Sequence, residues 1–132
     1  MDDPSSFLIS ETATMRDAMA AIDRSGKGIA LLVDAEQRLV TTITDGDVRR
    51  AILAGITLDS PVDYLVARKP PKLRTPVTAS DDLDEAELKT LMDEHGIRHV
   101  PVLDSRGRVL RLAVREELDE AQDLPVSAVI MA

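Results

Sequence analysis

The sequence predicts an α+β fold made of two tandem β-α-β-β-α repeats packed with pseudo-twofold symmetry. Three observations carry this. At an offset of seventy residues Gly26 falls on Gly96, Asp23 on Asp93, Asp34 on Asp104 and Arg38 on Arg108. The apolar pattern recurs at the same offset, with Val33 against Leu103, Leu39 against Val109, Val40 against Leu110 and Val48 against Leu118. A unit repeated in tandem usually cannot bury its own apolar face and pairs with its copy to do so. Finally, 132 residues at 44% hydrophobic content make one globular domain. A half of roughly 60 residues is marginal alone, so the halves should share one core, with any site in the clefts between them.

The first unit opens with the short apolar run Phe7-Leu8-Ile9, which reads as a strand. Met15, Ala18, Met19 and Ile22 follow the i, i+3, i+4, i+7 spacing of a helix, with Thr12 or Thr14 as its N-cap. Gly26 stands where a helix ends in the left-handed conformation. Ile29 to Val33 reads as a buried strand, Asp34 to Arg38 as a turn, and Leu39 to Ile43 as the partner strand. The next helix should start near Thr44-Asp45, bury Val48, Ala51 and Ile52, and stop at Gly55. Asp59-Ser60-Pro61 is a further start signal, because proline suits the first helical position; it predicts a short helix through Leu65.

Pro70, Pro71 and Pro76 mark an extended crossover. In the second unit Ser80 or Asp81 is the expected cap of a helix carrying Leu88, Leu91, Met92 and His95 on one stripe, stopped at Gly96. Val100 to Leu103 and Val109 to Val114 repeat the strand–turn–strand pattern around Asp104-Ser105-Arg106-Gly107, and Arg115 to Ala121 is the expected last helix.

Composition excludes several functions. No run of ~18 apolar residues exists to span a membrane. The Met1-Asp2-Asp3-Pro4 start predicts no signal peptide. With no cysteine there is no disulfide or thiol chemistry, as expected of a cytoplasmic protein. A formal charge of −8 argues against nucleic acid and anionic membranes as partners, and two aromatics, Phe7 and Tyr64, argue against base stacking as a main binding mode. His95 and His99 are four apart, but Gly96 interrupts the helix between them, so no metal site is predicted. Asp45-Gly46-Asp47 superficially matches an Asp-x-Asp metal motif, which needs a nucleotide-binding α/β domain that this chain is too short to supply. Arg68-Lys69-Pro70-Pro71-Lys72-Leu73-Arg74 is a basic island, read as a solvated linker or as a phosphate-facing edge of a cleft. Glu116, Glu117, Asp119, Glu120 and Asp123 read as the solvated side of the last helix. Neither a Gly-x-Ser-x-Gly elbow nor a Gly-x-x-x-x-Gly-Lys loop is present, so no enzymatic activity is expected of these residues.

Gly96-Ile97-Arg98-His99-Val100-Pro101-Val102-Leu103-Asp104, together with Ile43-Thr44-Asp45-Gly46-Asp47-Val48, resembles the tandem CBS domain over roughly residues 8 to 120. The resemblance implies repeats at 8–66 and 78–121 joined by a crossover at 67–77. Thr44-Asp45-Gly46-Asp47-Val48-Arg49-Arg50-Ala51, followed by Leu58-Asp59-Ser60-Pro61-Val62, is similar to CBS pairs that precede a sugar-phosphate nucleotidyltransferase of the mannose-1-phosphate guanylyltransferase type. Pro125 to Ala132 then looks like the first strand of such a transferase, placing its truncated start at 124–132; the alternative is a strand closing the module's own sheet.

The resemblance also implies a regulatory sensor binding an adenosine-type ligand such as AMP, ATP or S-adenosylmethionine between the repeats. It places Asp47 on the ribose hydroxyls, Thr44 on ribose or phosphate, Gly28, Ile29 and Ala30 as the base-facing strand, and Arg49 or Arg50 as added positive charge. A carboxylate accepts two hydroxyl protons with charge-assisted strength, and N–H groups at a helix start suit phosphate. Helix capping alone equally explains Thr44, Asp45 and Asp47. In the second unit Val114 and Glu117 replace the threonine and aspartate, so at most one good nucleotide site per chain is expected. The family commonly forms homodimers, and the helices around Val48, Ile52, Leu88 and Leu91 are the candidate face. The alternative function is a dimerisation or scaffold module without ligand binding.

Overall fold

The computed structural model describes residues 7–70 and 75–119. In chain order the elements are β1 (Leu8–Ser10), α1 (Met15–Ser25), β2 (Ile29–Val33), β3 (Leu39–Thr44), α2 (Asp45–Leu53), α3 (Val62–Ala67), β4 (Ala79–Ser80), α4 (Glu85–His95), β5 (His99–Leu103) and β6 (Val109–Val114). Residues 115–119 form the described part of a last helix, α5. The mixed α+β architecture is the predicted one. The expected transferase strand at 124–132 and the end of the last helix lie outside the described residues.

Each repeat builds a three-stranded sheet of the same topology. β1 runs parallel to β2 and β2 antiparallel to β3; β4, β5 and β6 repeat this. The register shifts between Leu32 and Val33, and again between Val102 and Leu103, seventy residues on. Both turns are closed by an aspartate. Asp34 Oδ1 accepts from the backbone of Glu36 and Arg38 at 2.9 and 3.0 Å, while Asp104 Oδ1 accepts from Arg106 and Arg108 at 2.9 Å each. The two hairpin tips are laced together by Leu39 N–H to Gly107 C=O at 3.0 Å and Val109 N–H to Gln37 C=O at 3.2 Å. The pseudo-twofold relation is thus fixed by main-chain bonds.

Burial falls into three clusters rather than a single shared core. Met15, Ala18, Ile22, Ala30, Leu32, Ile43 and Val48 sit among the core residues of the first repeat, and Leu88, Met92, Val100, Val102 and Leu118 among those of the second. Phe7, Ile29, Leu31, Val33, Val109, Leu112 and Val114 form a third cluster between them. Strand alternation explains the split: Ala30 and Leu32 face the first repeat's helices, and Ile29, Leu31 and Val33 face the second repeat.

α1, α2 and α4 each start with a reciprocal capping box. Thr14, not Thr12, caps α1, with Asp17 as its partner. Asp84, rather than Ser80 or Asp81, caps α4: its Oδ1 accepts from Glu87 N–H at 2.8 Å and Glu87 Oε1 returns the bond at 3.1 Å. Ser80 lies instead in β4. Ile52, expected in the core, is 45% exposed because it lies on the outer side of α2, with Val48 and Ala51 turned inward. Val48 and Leu88 are buried in the repeat cores and are not available to a dimer face.

Candidate functional site

The site is a cleft of ≈ 600 Å³ between the repeats. β2, β3 and α2 contribute Ile29, Thr42, Thr44, Asp47 and Arg50; the crossover contributes Lys69 and Thr75-Pro76-Val77; α4 and β5 contribute His95, Ile97, Arg98 and His99.

Asp47 is its electrostatic centre. The local cause is the start of α2, where Thr44 leaves the strand as N-cap with φ −111° and ψ 169°. Thr44 Oγ1 accepts from Asp47 N–H at 3.3 Å, and Asp47 Oδ2 accepts from Thr44 N–H at 3.0 Å and lies 3.1 Å from its Oγ1. This is a capping box, as at Thr14 and Asp17. Capping alone does not account for Asp47, however. Asp17 is exposed, whereas Asp47 is 6% exposed and holds two cations. Arg50, one turn on, donates to Oδ1 at 2.6 Å. Lys69 reaches in from the far end of α3, with Nζ 3.4 Å from Asp47 Oδ2 and donating to the Thr42 carbonyl at 2.6 Å. A buried charge needs such partners to be tolerated.

The opposite wall is more loosely charged. Arg98 is held by Glu116, Nε to Oε1 at 2.6 Å, and the Glu116 carboxyl is kept below its usual range first by that bond. Burial pushes the His99 imidazole below its ordinary value, against a hydrogen bond with the Lys27 backbone and the charge of Glu116. His95 sits in the last turn of α4 and is exposed. Among the described residues no group of three His, Cys, Asp or Glu side chains could hold a metal ion.

Of the residues singled out from sequence, Thr44, Asp47, Ile29 and Arg50 meet in this cleft. Arg49 is exposed and does not line it. Ala30 is fully buried against the first repeat's core. Gly28, at φ +74°, lines a separate depression of ≈ 680 Å³ between α1 and α2. The charged groups of that depression, Arg16, Asp23 and Asp45, are all exposed, so the buried charge belongs to the inter-repeat cleft. Lys69, from the basic island, is turned into the cleft toward Asp47 and the Thr42 carbonyl and does not lie on a solvated linker; the sequence signal for it was that island. Thr75 to Val77, Ile97, Arg98 and His99 were not assigned to the site from sequence, since only the folded crossover and the second repeat bring them to this cleft.

The pseudo-equivalent position is filled differently. Val114 is buried in the inter-repeat cluster. Glu117, expected on a solvated face, is half-buried and forms an ion pair with Lys27 of the other repeat. Lys27 corresponds to Ile97 in the repeat register.

Residues 69–121 match the family model of the CBS domain. The chain carries a CBS domain. The match covers the second repeat, and solved structures extend the CBS-pair fold across both. A CBS domain protein from Pyrobaculum aerophilum complexed with AMP superposes with a TM-score of 0.69 at 24% identity, over 83% of this chain and 80% of that one. A CBS domain pair in complex with 5′-methylthioadenosine and S-adenosyl-L-methionine gives 0.72 at 18% identity, over 93% and 90%. Among curated proteins, an uncharacterized protein of Helicobacter pylori is 32% identical over 78% of this chain. Arabinose 5-phosphate isomerase GutQ of Escherichia coli is 31% identical over 74% of it. The chain spans only 30% and 29% of the length of these two relatives. No helix among the described residues is long and apolar enough to cross a membrane.

Proposed function

We propose that this CBS pair is a regulatory module that binds an adenine nucleotide in the inter-repeat cleft and so controls a fused catalytic domain, with no turnover of its own. The observation that carries this is the buried Asp47 carboxylate at the start of α2, facing a cleft that also gathers Lys69, Arg50 and Arg98. Such a carboxylate suits the hydroxyls of a ribose, and the surrounding cations suit phosphate. AMP and other adenosyl compounds in the two similar CBS structures support the same ligand class. A ligand can transmit control only by binding two arrangements of the repeats with different affinity.

A sugar-phosphate enzyme is the proposed fused partner. The resemblance of 124–132 to a transferase strand supports a nucleotidyltransferase, and the GutQ relatives support a sugar-phosphate isomerase. Activity assays on the longer chain with both substrate classes separate the two. The proposed homodimer face is the outer side of α1 and α2, where Met19, Ile52 and Leu53 are exposed.

Calorimetric titration with AMP, ATP, S-adenosylmethionine, GTP and CTP, beside Asp47→Ala, tests the binding function. Saturable binding of an adenine compound that the variant loses supports it. A folded protein silent across the panel would sink it and leave the scaffold function, which the closed Lys27–Glu117 position favours.

A further inference from the structure

We propose that two copies of this chain pair first repeat to first repeat about a two-fold axis, with Leu53 of each copy seated in the depression between α1 and α2 of the other. This rests on the homodimer face proposed above and adds its orientation and its anchor.

The two helical faces, α1 with α2 and α4 with α5, come from equivalent repeat positions and carry opposite chemistry. On the first, Met19 is 36%, Ile52 45% and Leu53 81% exposed. Where the first repeat has Met19 the second has Lys89, and Gln122 and Asp123 stand at the positions of Ile52 and Leu53 in the sequence. The second face is laced by ion pairs. Lys89 Nζ lies 3.2 Å from Asp119 Oδ1, Arg115 Nε lies 3.4 Å from the same oxygen, and Arg115 also bonds Asp93. A head-to-tail dimer would lay Met19 and Leu53 on that network twice, taking its charges out of water in exchange for apolar neighbours. Head-to-head pairing buries apolar surface against apolar surface instead.

Shape selects the same arrangement. Leu53 is the last residue of α2. The depression of ≈ 680 Å³ lies at the other end of that helix, where Asp45 and Val48 meet Ile22, Asp23 and Gly26 at the end of α1. The two features are separated by roughly 12 Å along α2, from the rise of an α-helix. A two-fold axis crossing α2 near Arg49, midway between them, sets two α2 helices antiparallel and brings Leu53 of each copy over the depression of the other. Such a contact is isologous and closes at two copies. The polar residues around it suit self-association, because exposed Arg49 lies between Leu53 and the Asp23 and Asp45 carboxylates and so presents both signs of charge to a copy of itself.

The chain has no cysteine, so introduced thiols report which surfaces meet. Arg49→Cys oxidised with diamide should cross-link to its own copy, since a residue near the axis faces itself within disulfide reach. Asp119 is the repeat counterpart of Arg49. A mixture of Arg49→Cys and Asp119→Cys chains should therefore give no mixed cross-link, which is the product of head-to-tail pairing. In sedimentation, Leu53→Asp should weaken dimerisation by about 30-fold or more, and Leu53→Met should keep it. At 81% exposure Leu53 has little part in folding, so a lost dimer with an unchanged circular dichroism spectrum reads on the interface. A mixed cross-link, or a Leu53→Asp chain that dimerises like the wild type, overturns the proposal and leaves the homodimer standing. A wild type that stays monomeric at about 0.1 mM, a concentration that populates even weak dimers, overturns both.

Discussion

Gln37 and Gly107 occupy the same left-handed turn position in the two hairpins, at φ +67° and +84°. Both are followed by an arginine that bonds back to the turn aspartate, Arg38 Nε to Asp34 at 2.9 Å and Arg108 Nε to Asp104 at 2.8 Å. An L side chain in this region costs about 1–2 kcal/mol, while glycine loses roughly 0.5–1 kcal/mol more chain entropy on folding. Gln37→Gly should therefore stabilise by about 0.5–1 kcal/mol, and Gly107→Ala should destabilise by about 1 kcal/mol, although a Cβ there meets Arg38 Cγ at an ordinary 3.9 Å. Urea unfolding with an unchanged m-value is the check; a less stable Gln37→Gly would mean that the glutamine side chain matters more than its backbone.

The Asp47–Lys69 pair is a stability element before any ligand arrives. Asp47→Ala removes the capping partner of Thr44 and the carboxylate that faces a lysine whose side chain is 4% exposed, so it should cost about 3–4 kcal/mol. Lys69→Met leaves Asp47 with Thr44 and Arg50 and should cost less, about 1 kcal/mol. The double variant should recover about 1–3 kcal/mol relative to the sum, the signature of direct coupling. Additivity in the double-mutant cycle would show the two charges to be independent.

Acid should unfold the protein in two separate windows. Burial holds the folded His99 below its ordinary 6.5, so the unfolded chain takes up that proton first. The stability this supplies is complete above about 6.5 and is lost as pH falls from there through the lowered folded value. Asp34 and Asp104 are held below 3.8, first by the backbone of Arg38 and Arg108 respectively. Their contribution is present above 3.8 and is lost only as pH falls below it. His99→Gln should flatten the upper window and leave the lower one; urea midpoints measured across pH separate them.

Where the sequence was readable, the signal was local. The turn aspartates, Gly26, Gly96 and the alternating apolar strands each act on their own few residues, so the repeat and its elements follow directly. The misplaced α4 cap had a readable signature in Asp84-x-x-Glu87, masked by the equally good cap residues Ser80 and Asp81 before it. Ile52 misled because Ala51, next to it, already supplies the buried position on that turn. Thr44, Asp47 and Arg50 were legible as one turn of helix. The basic island flagged Lys69 but not its contact with Asp47, and His99 was not legible as a cleft residue, since the second repeat lines the cleft only once the hairpins pair across the pseudo-dyad.

Lys27 and Glu117 make the two halves unequal, and this asymmetry can be tested by copying one repeat onto the other. Glu117 has a 41% exposed side chain, so the pair itself should contribute only about 0.5–1 kcal/mol and weaken in salt. Its larger effect is steric and electrostatic: a cation and an anion stand where the first cleft has Ile97 and Asp47. Val114→Thr with Glu117→Asp restores the threonine–aspartate pair, yet Lys27 still reaches that aspartate, so AMP stoichiometry in calorimetry should remain one per chain. Adding Lys27→Ile, the counterpart of Ile97, should raise it to two. A second site appearing without the Lys27 change would show that the side chains at 114 and 117, and not the cross-repeat ion pair, keep that position closed.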